Sequence, residues 1–198
     1  FLSERADFAE RCADAGLTFI GPAAKHLALF GDKTRAKAAA IEAAVPVMRG
    51  IDRSVTIEDA RAFFLSLEAE GRAMIIKALA GGGGRGARVV ESLAEVDAAY
   101  ARCRSEANLA FGVDDVYVEG FVRRARHIEV QILGDQNGDI THLGERECSV
   151  QRRFQKMVEI APAPALSEDL RRQIIDAAMR LSKSVRYTNL GTFEFLVD

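Results

Sequence analysis

Four adjacent glycines, Gly81, Gly82, Gly83 and Gly84, followed by Arg85 and Gly86, form the sharpest chemical signal in the sequence. Residues without a Cβ let backbone N–H groups approach phosphate oxygens closely. The string also satisfies G-x-G-x-x-G at Gly81, Gly83 and Gly86. A dinucleotide fingerprint, however, leads straight into a helix whose N-terminus holds the pyrophosphate, and here residues 87–91 read as a strand. No Gly-Lys-Ser/Thr follows, which excludes a Walker A loop. A strand–glycine loop–strand unit is instead a flap able to close over a triphosphate. Lys77, on the entering strand, is placed to reach the phosphates, and Arg85 and Arg88 are weaker candidates. Four glycines lose much backbone entropy on ordering, which argues against a merely connecting loop.

Other residues offer chemistry with two readings each. Lys33 opens a helix after Gly31-Asp32 and either points at a phosphate or is a solvated lysine. In residues 126–133, alternation puts His127, Glu129 and Gln131 on one strand face and Ile128, Val130 and Ile132 on the other. The polar face either binds substrate or meets water. Glu145, Glu147, Ser149 and Gln151 share a face of the next strand, with Gln155, Lys156 and Glu159 just beyond. Lysine can hold a small anion, and carboxylates can orient it or a metal. Glu194 sits among Thr192, Phe193, Phe195 and Leu196. It is either a magnesium-type oxygen ligand, since burial of an unpaired carboxylate is costly, or an edge-strand side chain in water. His26 and His142 have no evident partner, and Cys148 reads as a small buried side chain.

The elements that must position these residues are readable from periodicity and punctuation. Helices are expected at 8–15 (closed by Gly16), 23–30, 32–44 (capped by Asp32), 54–70 (capped by Ser54 or Thr56), 93–111 and 167–185. Strands are expected at 17–20, 74–78, 87–91, 116–119, 126–133, 140–150 and 192–197, with Asn137-Gly138 turning one hairpin. The first 45 or so residues look like the closing part of one module.

The 198 residues are 48% hydrophobic and 28% charged with formal net charge -2, which suits a globular chain of mixed α and β structure rather than a disordered tail. The near-zero charge argues against general nucleic-acid binding, although Arg123, Arg124, Arg126, Arg152 and Arg153 can contact an anion locally. The three cysteines, Cys12, Cys103 and Cys148, form no CxxC pair and read as free thiols of a reducing compartment. No apolar stretch has the length of a membrane span. The closing strand-like run needs neighbours, so sequence is expected on both sides of this chain.

Taken in order, these segments resemble the biotin carboxylase component of biotin-dependent carboxylases, members of the ATP-grasp superfamily. The resemblance rests on Phe1-Leu2-Ser3-Glu4, Phe19-Ile20-Gly21-Pro22, Gly31-Asp32-Lys33, Ile76-Lys77 with the glycine run, and Arg126-His127-Ile128-Glu129-Val130-Gln131. It continues through Glu145-Arg146-Glu147-Cys148-Ser149-Val150-Gln151-Arg152-Arg153, Gln155-Lys156, Glu159 with Ala161-Pro162-Ala163-Pro164, and Gly191-Thr192-Phe193-Glu194-Phe195. It implies an α+β ATP-grasp fold fragment. Residues 1–45 would close a preceding α/β (pre-ATP-grasp) domain, and residues 46–198 would be an ATP-grasp domain incomplete at its C-terminus.

The resemblance also implies roles. Lys33 and Lys77 would contact ATP, Gly82, Gly83, Gly84, Arg85 and Gly86 would form the phosphate-covering lid, and Glu119, Gly120 and Val122 would meet adenine. His127 and Gln151 would belong to the nucleotide site and also lie near the reaction centre, Lys156 would contact bicarbonate, and Glu194 would bind Mg2+ (or Mn2+). The family reaction joins ATP and bicarbonate into carboxyphosphate and carboxylates N1 of a carrier-linked biotin. Its partners would be a biotin carboxyl carrier and a carboxyltransferase component, in a homo-oligomer of the cytoplasm or mitochondrial matrix, without nucleic acid or membrane. Phe154 stands where the family commonly has histidine. The second metal carboxylate and the arginine and glutamate of bicarbonate and biotin chemistry would lie beyond Asp198, so these residues alone are expected to be inactive. The large chain of carbamoyl phosphate synthetase is the runner-up, and a non-catalytic nucleotide-binding module is a rival from another class.

Overall fold

The computed structural model describes residues 2–79, 86–152 and 155–198. In chain order its elements are α1 (Ala6–Asp14), α2 (Ala24–Gly31), α3 (Lys33–Glu42), β1 (Gly50–Ile51), α4 (Ile57–Glu68), β2 (Ala73–Ala78) and β3 (Ala87–Val90). There follow α5 (Val96–Phe111), β4 (Val116–Phe121), β5 (Arg126–Gly134), β6 (Ile140–Arg152), β7 (Gln155–Ile160), α6 (Glu168–Ser184) and β8 (Asn189–Val197). They group into two units, one chiefly of residues 48–125, the other of residues 2–47, 126–151 and 156–197. Among the described residues no helix is long and apolar enough to cross a membrane.

In the unit of residues 48–125, a sheet ordered β1-β4-β2-β3 is antiparallel at every pairing. Helix α4 starts where a reciprocal cap forms: Thr56 accepts from the Asp59 N–H, and the Asp59 side chain accepts from the Thr56 N–H. Ala60, Phe63, Phe64 and Leu67 then recur at helical spacing and form its buried face. They pack with Met74 and Ile76 of β2, Val116 and Val118 of β4, and Cys103 of α5. Burying each large apolar side chain stabilises the unit by about 1.5–3 kcal/mol. Every residue of β2 except Lys77 is buried, so a fixed strand presents this one lysine.

In the other unit the sheet order is β7-β6-β5-β8, with β5 antiparallel to both β6 and β8. Ile128, Val130 and Ile132 face α6, packing with Ile174, Ala178 and Tyr187. The N-terminal segment joins this unit through α3, whose Ala40 and the following Ala43 and Val45 meet Ala177 and Leu181 of α6. Arg180 donates to the Ala43 and Ala44 carbonyls at 3.2 and 3.0 Å, capping the end of α3 from another helix.

Most expected elements occur, but the strand expected at 17–20 does not. Those residues are irregular, and Leu17 and Ile20 are largely exposed. No described strand lies alongside to take up the N–H and C=O groups that a strand would present. The helix expected from residue 93 begins with a 3-10 turn, Leu93–Glu95. Strands β1 and β7 are additional.

Candidate functional site

A one-residue bulge decides which side chains meet on β5 and β6. Glu129 lies opposite Arg146 and Val130 opposite Glu145, yet Ile132 lies opposite His142, so Leu143 and Gly144 together oppose Gln131. Gly144 takes a left-handed φ of +83°, which favours glycine at the bulge. An unbroken alternation would have put Glu145 opposite Glu129. The bulge instead turns Glu145 to the helix-covered face, where Arg171 of α6 donates to it at 2.9 Å, and brings Arg146 to Glu129.

The polar face thus holds a connected set. Lys156, on β7, forms an ion pair with Glu129, and its Nζ lies 3.6 Å from Glu194 Oε2. Glu194, on β8, is the cross-strand partner of Glu129. His127 Nδ1 lies 2.6 Å from Glu194 Oε1. Arg146 ion-pairs with Glu129, lies 3.3 Å from Glu159 Oε2, and donates to Gln131 Oε1 at 3.1 Å. Gln131 donates in turn to the Gly191 carbonyl at 2.8 Å. On this face Glu129 is 3% exposed, while His127, Gln131 and Lys156 keep contact with solvent.

Burial pushes the Glu129 carboxyl upward, but the hydrogen bond and charge of Lys156, with Arg146 behind, outweigh it and hold the group below its ordinary range. Burial likewise works against the charged Lys156 ammonium, and Glu129 and Glu194 more than offset it, so its pKa is raised. The face therefore carries a charged ammonium beside the ionised Glu129 carboxylate, the equipment for holding a small anion next to a cation.

Glu129, Cys148 and Glu159 place ligand atoms within 4.8 Å of one another, but they suit a metal poorly. Burial, with Glu129 adding to it, pushes the Cys148 thiol up to about 11, so a metal there would have to displace a firmly held proton. Glu129 is already committed to Lys156 and Arg146. Glu194 fits a hard cation better: its side chain is 42% exposed, and a carboxylate combined with phosphate and water oxygens is the usual magnesium environment.

In the unit of residues 48–125, Lys77 Nζ lies 2.5 Å from Glu119 Oε2 and 6.0 Å from the centre of the Tyr117 ring. The strands set this meeting, because Lys77 of β2 is opposite Tyr117 of β4 and Glu119 is two residues along. Gly120 donates to the Arg49 carbonyl at 2.8 Å, and Val122 directly follows β4. Gly86 opens β3 at a φ of +68°, and a Cβ there would stand 3.1 Å from the Ala78 Cβ.

Residues 32–198 match the family described as carbamoyl-phosphate synthase L chain, ATP binding domain. Residues 1–27 match the biotin carboxylase N-terminal domain. The chain belongs to the biotin carboxylase family of ATP-grasp proteins. It is 52% identical over 198 residues to pyruvate carboxylase of Bacillus subtilis, covering 100% of this chain and 17% of that protein. The structure of a biotin carboxylase from Campylobacter jejuni, a β-γ-ATP complex, superposes with a TM-score of 0.88 at 44% identity, covering 100% of this chain and 44% of that one. The biotin carboxylase domain of Hydrogenobacter thermophilus 2-oxoglutarate carboxylase, in complex with MgADP, ADP and bicarbonate, superposes with a TM-score of 0.86 at 40% identity, covering 100% and 43%. The chain thus spans 17% of the length of this curated relative and under half of these two structures.

Within this biotin carboxylase fold, His127, Lys156 and Glu194 come together, and Lys77 meets Glu119. Lys33 is the first residue of α3, beyond the Asp32 cap that accepts from Thr34 and Arg35 at 3.0 and 3.1 Å. Gln151 donates to the Cys148 carbonyl at 2.9 Å and makes no described bond to His127 or Lys156. Gly82, Gly83, Gly84 and Arg85 lie outside the described residues, as does Phe154. Sequence reasoning assigned no role to Arg146, because simple alternation from Glu145 does not register the bulge. The Leu143-Gly144 pair within a strand was the available signal.

Proposed function

We propose that this chain is the nucleotide- and bicarbonate-handling part of an ATP-dependent biotin carboxylase, with residues 1–45 closing one domain and residues 46–198 belonging to the ATP-grasp domain. The observation that carries the reading is the placement of Lys156 between Glu129 and Glu194, with His127 on Glu194. A bicarbonate oxygen attacks the γ-phosphorus of ATP, the bond to the bridging oxygen breaks, and ADP leaves. The resulting carboxyphosphate gives its carboxyl group to N1 of a carrier-linked biotin, which loses a proton as phosphate departs.

Lys156 holds and orients bicarbonate, its charge kept by the carboxylates around it. Lys33 and Lys77 bind ATP phosphates, with Lys77 exchanging its Glu119 partner for phosphate oxygen. Glu119, Gly120 and Val122 form the adenine-contacting segment. Gly82, Gly83, Gly84, Arg85 and Gly86 form a lid that excludes water. His127 orients Glu194, and Gln151 lies near the reaction centre. Glu194 would hold Mg2+ (or Mn2+), which when bound neutralises phosphate charge during transfer. A biotin carboxyl carrier, a carboxyltransferase component and a homo-oligomeric assembly are the partners this reading requires. The similarity to pyruvate carboxylase and to 2-oxoglutarate carboxylase supports a 2-oxo acid as final acceptor.

The test is ADP release from MgATP by the holoenzyme carrying this chain, with and without bicarbonate and biotin. Bicarbonate-dependent release that Lys77→Met and Lys156→Met each reduce by about 100-fold or more is expected, as for lost transition-state charge stabilisation. Release indifferent to bicarbonate, or unchanged in both variants, overturns the reading.

A further inference from the structure

Arg146 has no task in the chemistry above, although it touches more of this polar face than any residue named there. Its Nε forms an ion pair with Glu129 and lies 3.3 Å from Glu159 Oε2, while Nη1 donates to Gln131 Oε1 at 3.1 Å. The Nε is buried and is not aligned for a hydrogen bond with either carboxylate. It acts there as a charge held between two anions rather than as a directed donor. Among the described residues, Glu129, Glu159 and Glu194 meet two cations on this face, Lys156 and Arg146. Lys156 contacts two of these carboxylates, Glu129 and Glu194. Without Arg146 the whole charge of Glu129 would fall on Lys156, and an ammonium neutralised by two carboxylates attracts a further anion weakly.

We propose that Arg146 is a positioning residue that neutralises Glu129 and so leaves the Lys156 ammonium able to hold the bicarbonate anion. This rests on the reading of Lys156 given above. The β-bulge at Leu143-Gly144 is then a functional feature, since it delivers Arg146 rather than Glu145 to Glu129.

The experiment uses the holoenzyme and two readouts: Michaelis constants for bicarbonate and ATP, and line broadening of 13C-labelled bicarbonate in the presence of MgADP. Arg146→Met is expected to raise the bicarbonate constant by about tenfold or more and abolish the broadening, with the ATP constant changed by less than about twofold. Arg146→Lys should recover most of the loss. Adding Glu159→Gln to Arg146→Met should recover part of it, because that change removes negative charge without restoring any contact. A bicarbonate constant unchanged in Arg146→Met overturns the proposal. So do equal losses toward both substrates that Glu159→Gln does not relieve, the pattern of a purely structural arginine. Should Arg146→Met fail to fold, Glu159→Gln alone decides: a lowered bicarbonate constant supports the proposal and an unchanged one overturns it. An unsubstituted holoenzyme indifferent to bicarbonate refutes the underlying reading as well, whereas a bicarbonate-responsive enzyme insensitive to these changes refutes only the role of Arg146.

Discussion

Glu129 and Glu194 stand directly opposite one another across the β5–β8 ladder, and Lys156 contacts both. Like charges so placed destabilise a sheet. Here they are tolerated because a cation from β7 lies against them, and the same arrangement concentrates charge where the proposed function would bring a small anion and a metal ion together.

The first expectation concerns this pair's energetics. Breaking a buried ion pair leaves a carboxylate without its counter-charge, at a cost of about 3–5 kcal/mol when both partners are deeply buried. Glu129 is buried, but the Lys156 side chain is 30% exposed, so Lys156→Met should cost less, about 1–3 kcal/mol after allowing for solvent screening. Glu129→Gln in the same background should recover much of the loss. Urea denaturation of the four members of the cycle measures the coupling, and additive effects would show that the pair is not coupled.

A second expectation comes from Gly191, in β8. A Cβ there would stand 1.8 Å from the Tyr187 hydroxyl and 2.6 Å from the adjoining ring carbon. Tyr187 has little room to yield. It stacks on His26 at 4.9 Å, meets Phe193 edge-on at 5.6 Å, and has its backbone against Gly134. Gly191→Ala should therefore destabilise by about 1–3 kcal/mol, the usual range for overpacking. Tyr187→Phe in that background should relieve part of it by removing the nearest atom. A thermal midpoint unchanged in Gly191→Ala would contradict this packing.

His26 supplies a pH dependence. Its Nε2 lies 3.1 Å from the Val185 carbonyl, the residue is 2% exposed, and Nδ1 has no hydrogen-bond partner among the described residues. Burial lowers its pKa, the carbonyls of Val185 and Arg186 oppose that shift, and Lys25 adds to it. The unfolded chain takes up a proton near pH ~6.5 that the folded chain resists. Stability contributed by neutral His26 is therefore complete above that pH and declines as pH falls toward the depressed folded value. His26→Phe should flatten the fall in thermal midpoint between about pH 6.5 and 5. An unaltered slope would show that His26 is not its source.

The candidate site was legible in the sequence where its geometry is local. Alternation alone separated His127, Glu129 and Gln131 from the apolar Ile128, Val130 and Ile132, because β5 is regular along that stretch. The Asp32 cap of α3 was equally local. What escaped depended on the partner strand: the bulge exchanges Glu145 and Arg146 between faces, and no period within β6 reports it. Strand β7 escaped for another reason. All six of its residues are exposed, so Gln155–Ile160 lacks the alternation that marks a half-buried strand. The tetrad 17–20 misled because an apolar run reads as a strand whether or not a neighbour exists to pair with it.

The last expectation separates a metal ligand from a structural carboxylate at Glu194. If Glu194 served the fold, Glu194→Gln would weaken it by removing the contacts to His127 and Lys156. Those contacts are partly exposed, and such pairs stabilise by only ~0–1 kcal/mol. The substitution also removes the charge facing Glu129, so stability should be unchanged or slightly raised. Magnesium use should respond strongly. Even outer-shell partners of metal sites cost ~10–100-fold in affinity when changed, and loss of a charged oxygen ligand should do at least as much to half-saturation by Mg2+ in the holoenzyme. Glu194→Asp, which keeps the charge but shortens its reach, should fall between the two. A magnesium titration of Glu194→Gln that overlays the unsubstituted enzyme would remove Glu194 from the metal site and leave its contact with His127 as its function.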